Sequence, residues 1–126
     1  MTWLSDSTVF GMFSVMKRYM PPPPATGPAP RSPFEWGRTE RIRELLGGAF
    51  ELRFEKGVSY YREPSAEAAW ETFSKGYGPT RMLAASLDPE RMARLREEFI
   101  AFHANYATEL GTCVPREYWL TIGVRV

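Results

Sequence analysis

Glu117–Val126 reads EYWLTIGVRV, in which Tyr118, Leu120, Ile122, Val124 and Val126 alternate with Trp119, Thr121, Gly123 and Arg125. Successive side chains leave a strand on opposite faces, so a period of two predicts a strand with one apolar and one mixed face. Phe50–Tyr61, FELRFEKGVSYY, carries the same signal: Phe50, Leu52 and Phe54 share one face, and Glu51, Arg53 and Glu55 the other. Gly57 is placed to mark a bulge before that strand continues.

Around these two strands the period becomes helical. Residues 6–20 form a helix capped by Asp6 or Ser7, with Val9, Phe13, Met16 and Met20 on one stripe and Phe10 and Met12 widening it. Pro21 ends it, because the residue before a proline is pushed out of the α region. Residues 21–34 then make a proline-rich, extended crossing of the surface; a ligand for a proline-reading module is the alternative. Helix 38–46 turns Ile42, Leu45 and Leu46 to one side and stops at Gly47–Gly48. After Pro64–Ser65 a helix buries Ala69, Trp70 and Phe73 and ends at Gly76, where KGYGPT reads as a loop. A short helix near Met82–Leu87 precedes a long one that Asp88–Pro89 starts, with Met92, Leu95, Phe99, Phe102 and Tyr106 on its stripe. The expected fold class is α+β, about four helices packed on a small antiparallel pair of strands, in a single domain over 1–126.

The composition narrows the function. A chain of 126 residues with 44% hydrophobic residues can bury a core. Sixteen basic and 15 acidic side chains leave a formal charge of +1, so no field favours nucleic acid or an anionic membrane. The only cysteine, Cys113, rules out an internal disulfide and points to the cytoplasm. No run approaches the apolar length of a membrane span, and the start of the chain lacks a basic region and a small-residue cleavage site.

Little catalytic chemistry can be assembled. No glycine-rich turn joins a strand to a helix, so no dinucleotide or phosphate cradle is present. His103 is the only histidine and sits beside the stripe of the long helix, where packing is the expected role. Cys113 lies in what reads as a loop and behaves as a small apolar filler. The carboxylates alternate with arginines, which gives no metal site. Trp3, Phe13, Tyr19, Trp36 and Tyr77 remain; standing near glycine and proline turns, they could line a substrate-binding pocket for a flat organic molecule or simply form core. No catalytic, cofactor-binding or metal-binding residue is assigned.

TWLSDSTVFGMFSVMKRYMPPPP, SPFEWGRTERIRELLGG, EPSAEAAWETFSKGYGPT and LDPERMARLREEF, in this order, resemble the C-terminal region of class I S-adenosylmethionine-dependent methyltransferases. The narrower resemblance is to the type 11, ubiquinone/menaquinone-biosynthesis-like group, and it covers essentially the whole chain. Thr2–Trp3 resembles the segment closing the family's fifth strand, although Leu4–Ser5–Asp6 departs from the usual proline and acid. Phe50–Tyr61 resembles the sixth strand and Glu117–Val126 the seventh, which in the family lies between the fifth and the sixth. The family's cofactor, S-adenosylmethionine, is bound through regions that have no counterpart here. The resemblance therefore implies a methyltransferase-like fragment that contributes substrate-side surface, binds no cofactor alone and is inactive alone. A small self-associating or ligand-binding α+β domain without catalysis is the alternative. In either case the final strand is expected to present a bare edge for a homodimer or a second chain, which replacement of Ile122 by Lys or Pro would disrupt.

Overall fold

In the computed structural model, which describes residues 1–126, both period-two stretches are long strands at the heart of one sheet. Phe50–Glu63 forms β2 and Gly111–Arg125 forms β4, while Thr2–Trp3 (β1) and Ala107–Thr108 (β3) are two-residue strands. The order is β1-β4-β2, with β3 also on β4. β1 runs antiparallel to β4 with Thr2 opposite Trp119 and Trp3 opposite Tyr118; β3 does the same with Ala107 opposite Thr112. Val126 N–H donates to Ala49 O at 3.2 Å, and the Thr112 hydroxyl donates to Glu63 O at 3.4 Å. Those two bonds tie opposite ends of β2 and β4 together in the antiparallel sense.

Five α-helices accompany the sheet: α1 (Thr8–Lys17), α2 (Thr39–Leu46), α3 (Ala66–Gly76), α4 (Gly78–Ser86) and α5 (Pro89–Ala104); a 3-10 helix spans Pro33–Gly37. The class is α+β, with the anticipated strand pair extended by the two short strands. No helix is long and apolar enough to cross a membrane. Every residue from Met20 to Pro33 is exposed. By contacts the chain divides into two compact units, and α1, β2 and β4 contribute residues to both.

The first unit comprises Met1–Phe10, Pro23–Ser59 and Pro115–Val126. Leu4 N–H donates to Glu117 O at 3.1 Å, continuing the pairing that β1 begins. Thr8 N–H reaches Glu117 Oε2 at 3.3 Å, and the Thr8 hydroxyl donates to Pro115 O. Ser7, one of the two expected caps of α1, accepts from Phe10 N–H at 3.4 Å. Phe10 and Phe34 meet edge to face at 5.2 Å, and Phe54 and Trp119 do so at 6.3 Å. The Arg43 guanidinium stands 4.7 Å over the Phe54 ring, and Ile42 is the buried residue of α2.

Half-buried positions along β2 are Phe50, Leu52 and Phe54 at one end, but Gly57, Ser59, Tyr61 and Glu63 at the other. Side chains alternate strictly along a strand, so the covered face changes between Phe54 and Gly57. On the apolar side of β4, Tyr118 and Ile122 are half-buried while Leu120 and Val124 are exposed.

The second unit comprises Gly11–Pro22 and Tyr60–Val114. Its core is Met12, Val15, Met16, Tyr19, Trp70, Phe73, Leu83, Leu95 and Phe99. α3 packs against both α4 and α5. Ser65 caps α3 by accepting from Ala68 N–H at 3.0 Å, and Asp88 caps α5 by accepting from Arg91 N–H at 2.9 Å. Ala69, Trp70, Leu95 and Phe99 point inward as their spacing predicted.

The structure departs from the sequence pattern at Gly78–Pro79, at the start of β4 and at Met20. KGYGPT is not a loop throughout, because Gly78–Pro79 opens α4; a proline in the first turn has no N–H to lose, and Thr80 and Leu83 bury the helix. The last strand starts at Gly111 and not Glu117, so Cys113 lies in β4, its N–H bonded to Tyr106 O at 2.9 Å. Met20 is exposed: α1 ends at Lys17, the chain turns through a Tyr19 N–H to Met16 O bond, and Tyr19 takes the inward place.

Candidate functional site

No group of three His, Cys, Asp or Glu side chains is placed to hold a metal ion. His103 is 1% exposed, its Nδ1 lies 2.8 Å from Phe99 O, and its ring stacks on Phe99 at 4.5 Å. The packing role expected for it is the one it has. Cys113 is a half-buried free thiol.

The five aromatic candidates are divided between the two units, Trp3 and Trp36 in the first and Phe13, Tyr19 and Tyr77 in the second. In the first unit, Trp3 meets the Tyr118 ring edge to face at 6.4 Å, while Trp36 is exposed. In the second, Phe13 meets Tyr77 edge to face at 6.2 Å, and Tyr77 meets Phe73 at 5.3 Å. Tyr77 is thus the exposed end of an aromatic series that runs into the core. Tyr19 is buried within that core. Burial, then a hydrogen bond to Glu98, pushes its phenol above the usual tyrosine range. Arg18 Nη2 pairs with Glu98 Oε2 at 2.9 Å beside it, and Arg91 Nη2 donates to Tyr19 O at 3.4 Å.

A cavity that the aromatic reading missed lies in the first unit. Its volume is about 430 Å³, and Arg31, Glu35, Arg38, Glu40, Arg41 and Glu44 line it. The 3-10 helix and α2 bring these side chains together from RSPFEWGRTERIRE, of which the RTERIRE part has the interspersed charge of a solvated helix face. Arg41 Nη1 pairs with Glu44 Oε2 at 2.9 Å. The Glu40 carboxyl is held below its usual range by its own backbone N–H, then by the Thr39 hydroxyl. Three guanidinium groups and three carboxylates line it, so it suits a polar group better than a flat apolar one.

The remaining features are strand edges. Beyond Trp119, the side of β4 that carries β1 has no strand paired to it, and β2 is paired only on its β4 side. The bare edge expected for the final strand is therefore limited to its last residues, since β4 sits between β1 and β2. No protein-family model matches the chain, and comparison with curated proteins and with solved structures finds none that is similar.

Proposed function

We propose that this chain is the substrate-side part of a class I S-adenosylmethionine-dependent methyltransferase fold, with the methyl donor held by polypeptide that joins it along β4. The observation that carries this reading is the strand order. Where the resemblance expects a fifth, seventh and sixth strand side by side, β1, β4 and β2 lie in that sequence, and β4 runs antiparallel to both neighbours. The absence of a phosphate-cradling glycine turn agrees with a donor site outside these residues. Ile122 lies on the stretch of β4 past the β1 pairing, where that polypeptide would add its strand.

The alternative, a ligand-binding domain without catalysis, is favoured by the charged cavity of Arg31, Glu35 and Arg38. One experiment separates the two. Labelled S-adenosylmethionine is offered to the purified chain alone, and to the chain together with any protein that Ile122→Pro releases from it. Donor binding and label transfer only in the combined sample is the expected result. Donor binding by the chain alone would overturn the division of labour, and no donor binding in either sample would leave the ligand-binding domain.

A further inference from the structure

β2 is hydrogen-bonded to a neighbour on one side only, and none of its residues is fully buried. A long edge of this kind presents a row of unpaired N–H and C=O groups to any strand that can align with it. We propose that the segment Phe50–Val58 pairs antiparallel with the same segment of a second copy of this chain, about a twofold axis through Phe54. The inference does not depend on the methyltransferase reading, because it concerns the side of the sheet away from β1.

The charge pattern selects the occupant and the register. Glu51, Arg53 and Glu55 stand exposed on one face in the order negative, positive, negative. With the axis at Phe54, each Arg53 faces Glu55 of the other copy, twice over. An axis at Arg53 would set arginine against arginine, and one at Glu55 carboxylate against carboxylate; like charges directly opposite disfavour a sheet. An axis at Leu52 is also complementary in charge, but it uses only Phe50–Phe54 of the strand. On the second face, Phe54 meets its own copy, and Phe50 meets the exposed Val58. Lys56, the type of residue that usually blunts an edge, falls opposite Leu52, where its aliphatic stem can lie along the leucine.

In the single chain Arg53 pairs with Glu55 of its own strand at 2.9 Å, with side chains 71% and 51% exposed. A pair so exposed is weak, so both groups are available to the facing strand. A two-strand seam is small for a specific interface, and association in the micromolar range is expected.

Sedimentation equilibrium of the 126-residue chain over a range of concentrations tests the proposal. The mass should rise from 14.4 kDa toward twice that value. Arg53→Glu and Glu55→Arg should each remain monomeric, and an equimolar mixture of the two should dimerise again, because opposite charges then meet across the seam. Both sites are exposed, so circular dichroism should find each variant folded. A wild-type chain that stays monomeric at the highest concentrations overturns the proposal. So does a dimer that persists in either single variant, or a mixture that fails to associate.

Discussion

The ring of Tyr118 lies across Gly57. A Cβ built on the glycine would stand 2.5 Å from the phenolic oxygen and 2.7 Å from Cε2. Tyr118 also meets the Trp3 ring edge to face at 6.4 Å, so the ring is held between Trp3 and Gly57. Gly57→Ala should therefore displace a side chain and cost about 1–3 kcal/mol. Urea denaturation would give this as a lowered midpoint at unchanged slope.

Gly37 meets a harder wall. Its Cβ would fall 2.5 Å from Ser5 N and 2.8 Å from Leu4 C, both backbone atoms. A ring can swing aside, whereas the strand segment that begins with β1 cannot move without breaking the Leu4 bond to Glu117. Gly37→Ala should cost more than Gly57→Ala, about 3 kcal/mol or above. Equal midpoints for the two variants would mean that the N-terminal segment is loosely held.

The Thr121 hydroxyl is buried with no hydrogen-bond partner. An unsatisfied buried hydroxyl is a net penalty, and valine keeps both the shape and the preference for strand. Thr121→Val should raise stability by about 1 kcal/mol. Thr8→Val is the contrast, because the Thr8 hydroxyl donates to Pro115 O and its removal leaves that carbonyl without it. The two variants should shift a thermal midpoint in opposite directions.

Tyr19 links stability to alkaline pH. Its folded pKa lies above the ordinary 10.0, through burial first and the Glu98 hydrogen bond second. A group raised in the folded state gives a stability that is complete below its unfolded pKa. That contribution is lost as pH rises past 10.0 and through the higher folded value. Tyr19→Phe should flatten the fall in urea midpoint above about pH 10 and leave the slope near neutrality unchanged.

Asp88 supplies the side-chain cap of the longest helix. Asp88→Ala should cost about 1 kcal/mol, read as a shift in midpoint, and Asp88→Ser should recover most of it. Failure of the serine variant to recover would assign the aspartate a role other than capping.

The parts of this fold that sequence could reveal are those with a period. β2 and β4 repeat long enough to declare themselves strands, and α3 and α5 long enough for the inward face to show as well. β1 and β3 are too short to have a period, so their pairing with β4 comes only from tertiary contacts. α4 was hidden by its own start: the Gly78–Pro79 step serves a turn and a first helical turn equally well. The face switch along β2 also has no sequence signature at Phe54, since alternation states only that faces differ, never which one is covered.

The candidate site was less legible. Aromatic side chains beside glycine and proline suit a pocket or a core, and the choice rests on neighbours distant in sequence. Tyr19 went to the core, Tyr77 to its rim, and Trp3 against Tyr118. The charged cavity escaped notice because interspersed Arg and Glu describe a solvated helix as well as a lined concavity. Only the turn between the 3-10 helix and α2 converts one into the other.

The place of β4 between β1 and β2 sets a timetable. Synthesis proceeds from the N-terminus, so β1 and β2 both leave the ribosome well before the strand that unites them. Neither can complete its hydrogen bonds until Gly111–Arg125 has emerged, and the Thr2 to Trp119 pairing then closes a loop of nearly the whole chain. Contacts so distant in sequence reward the chain only after their closure entropy has been met, which slows folding. A nascent chain stalled before Gly111 would display two unpartnered strands, and a chaperone that shields extended apolar segments would find its longest occupancy there.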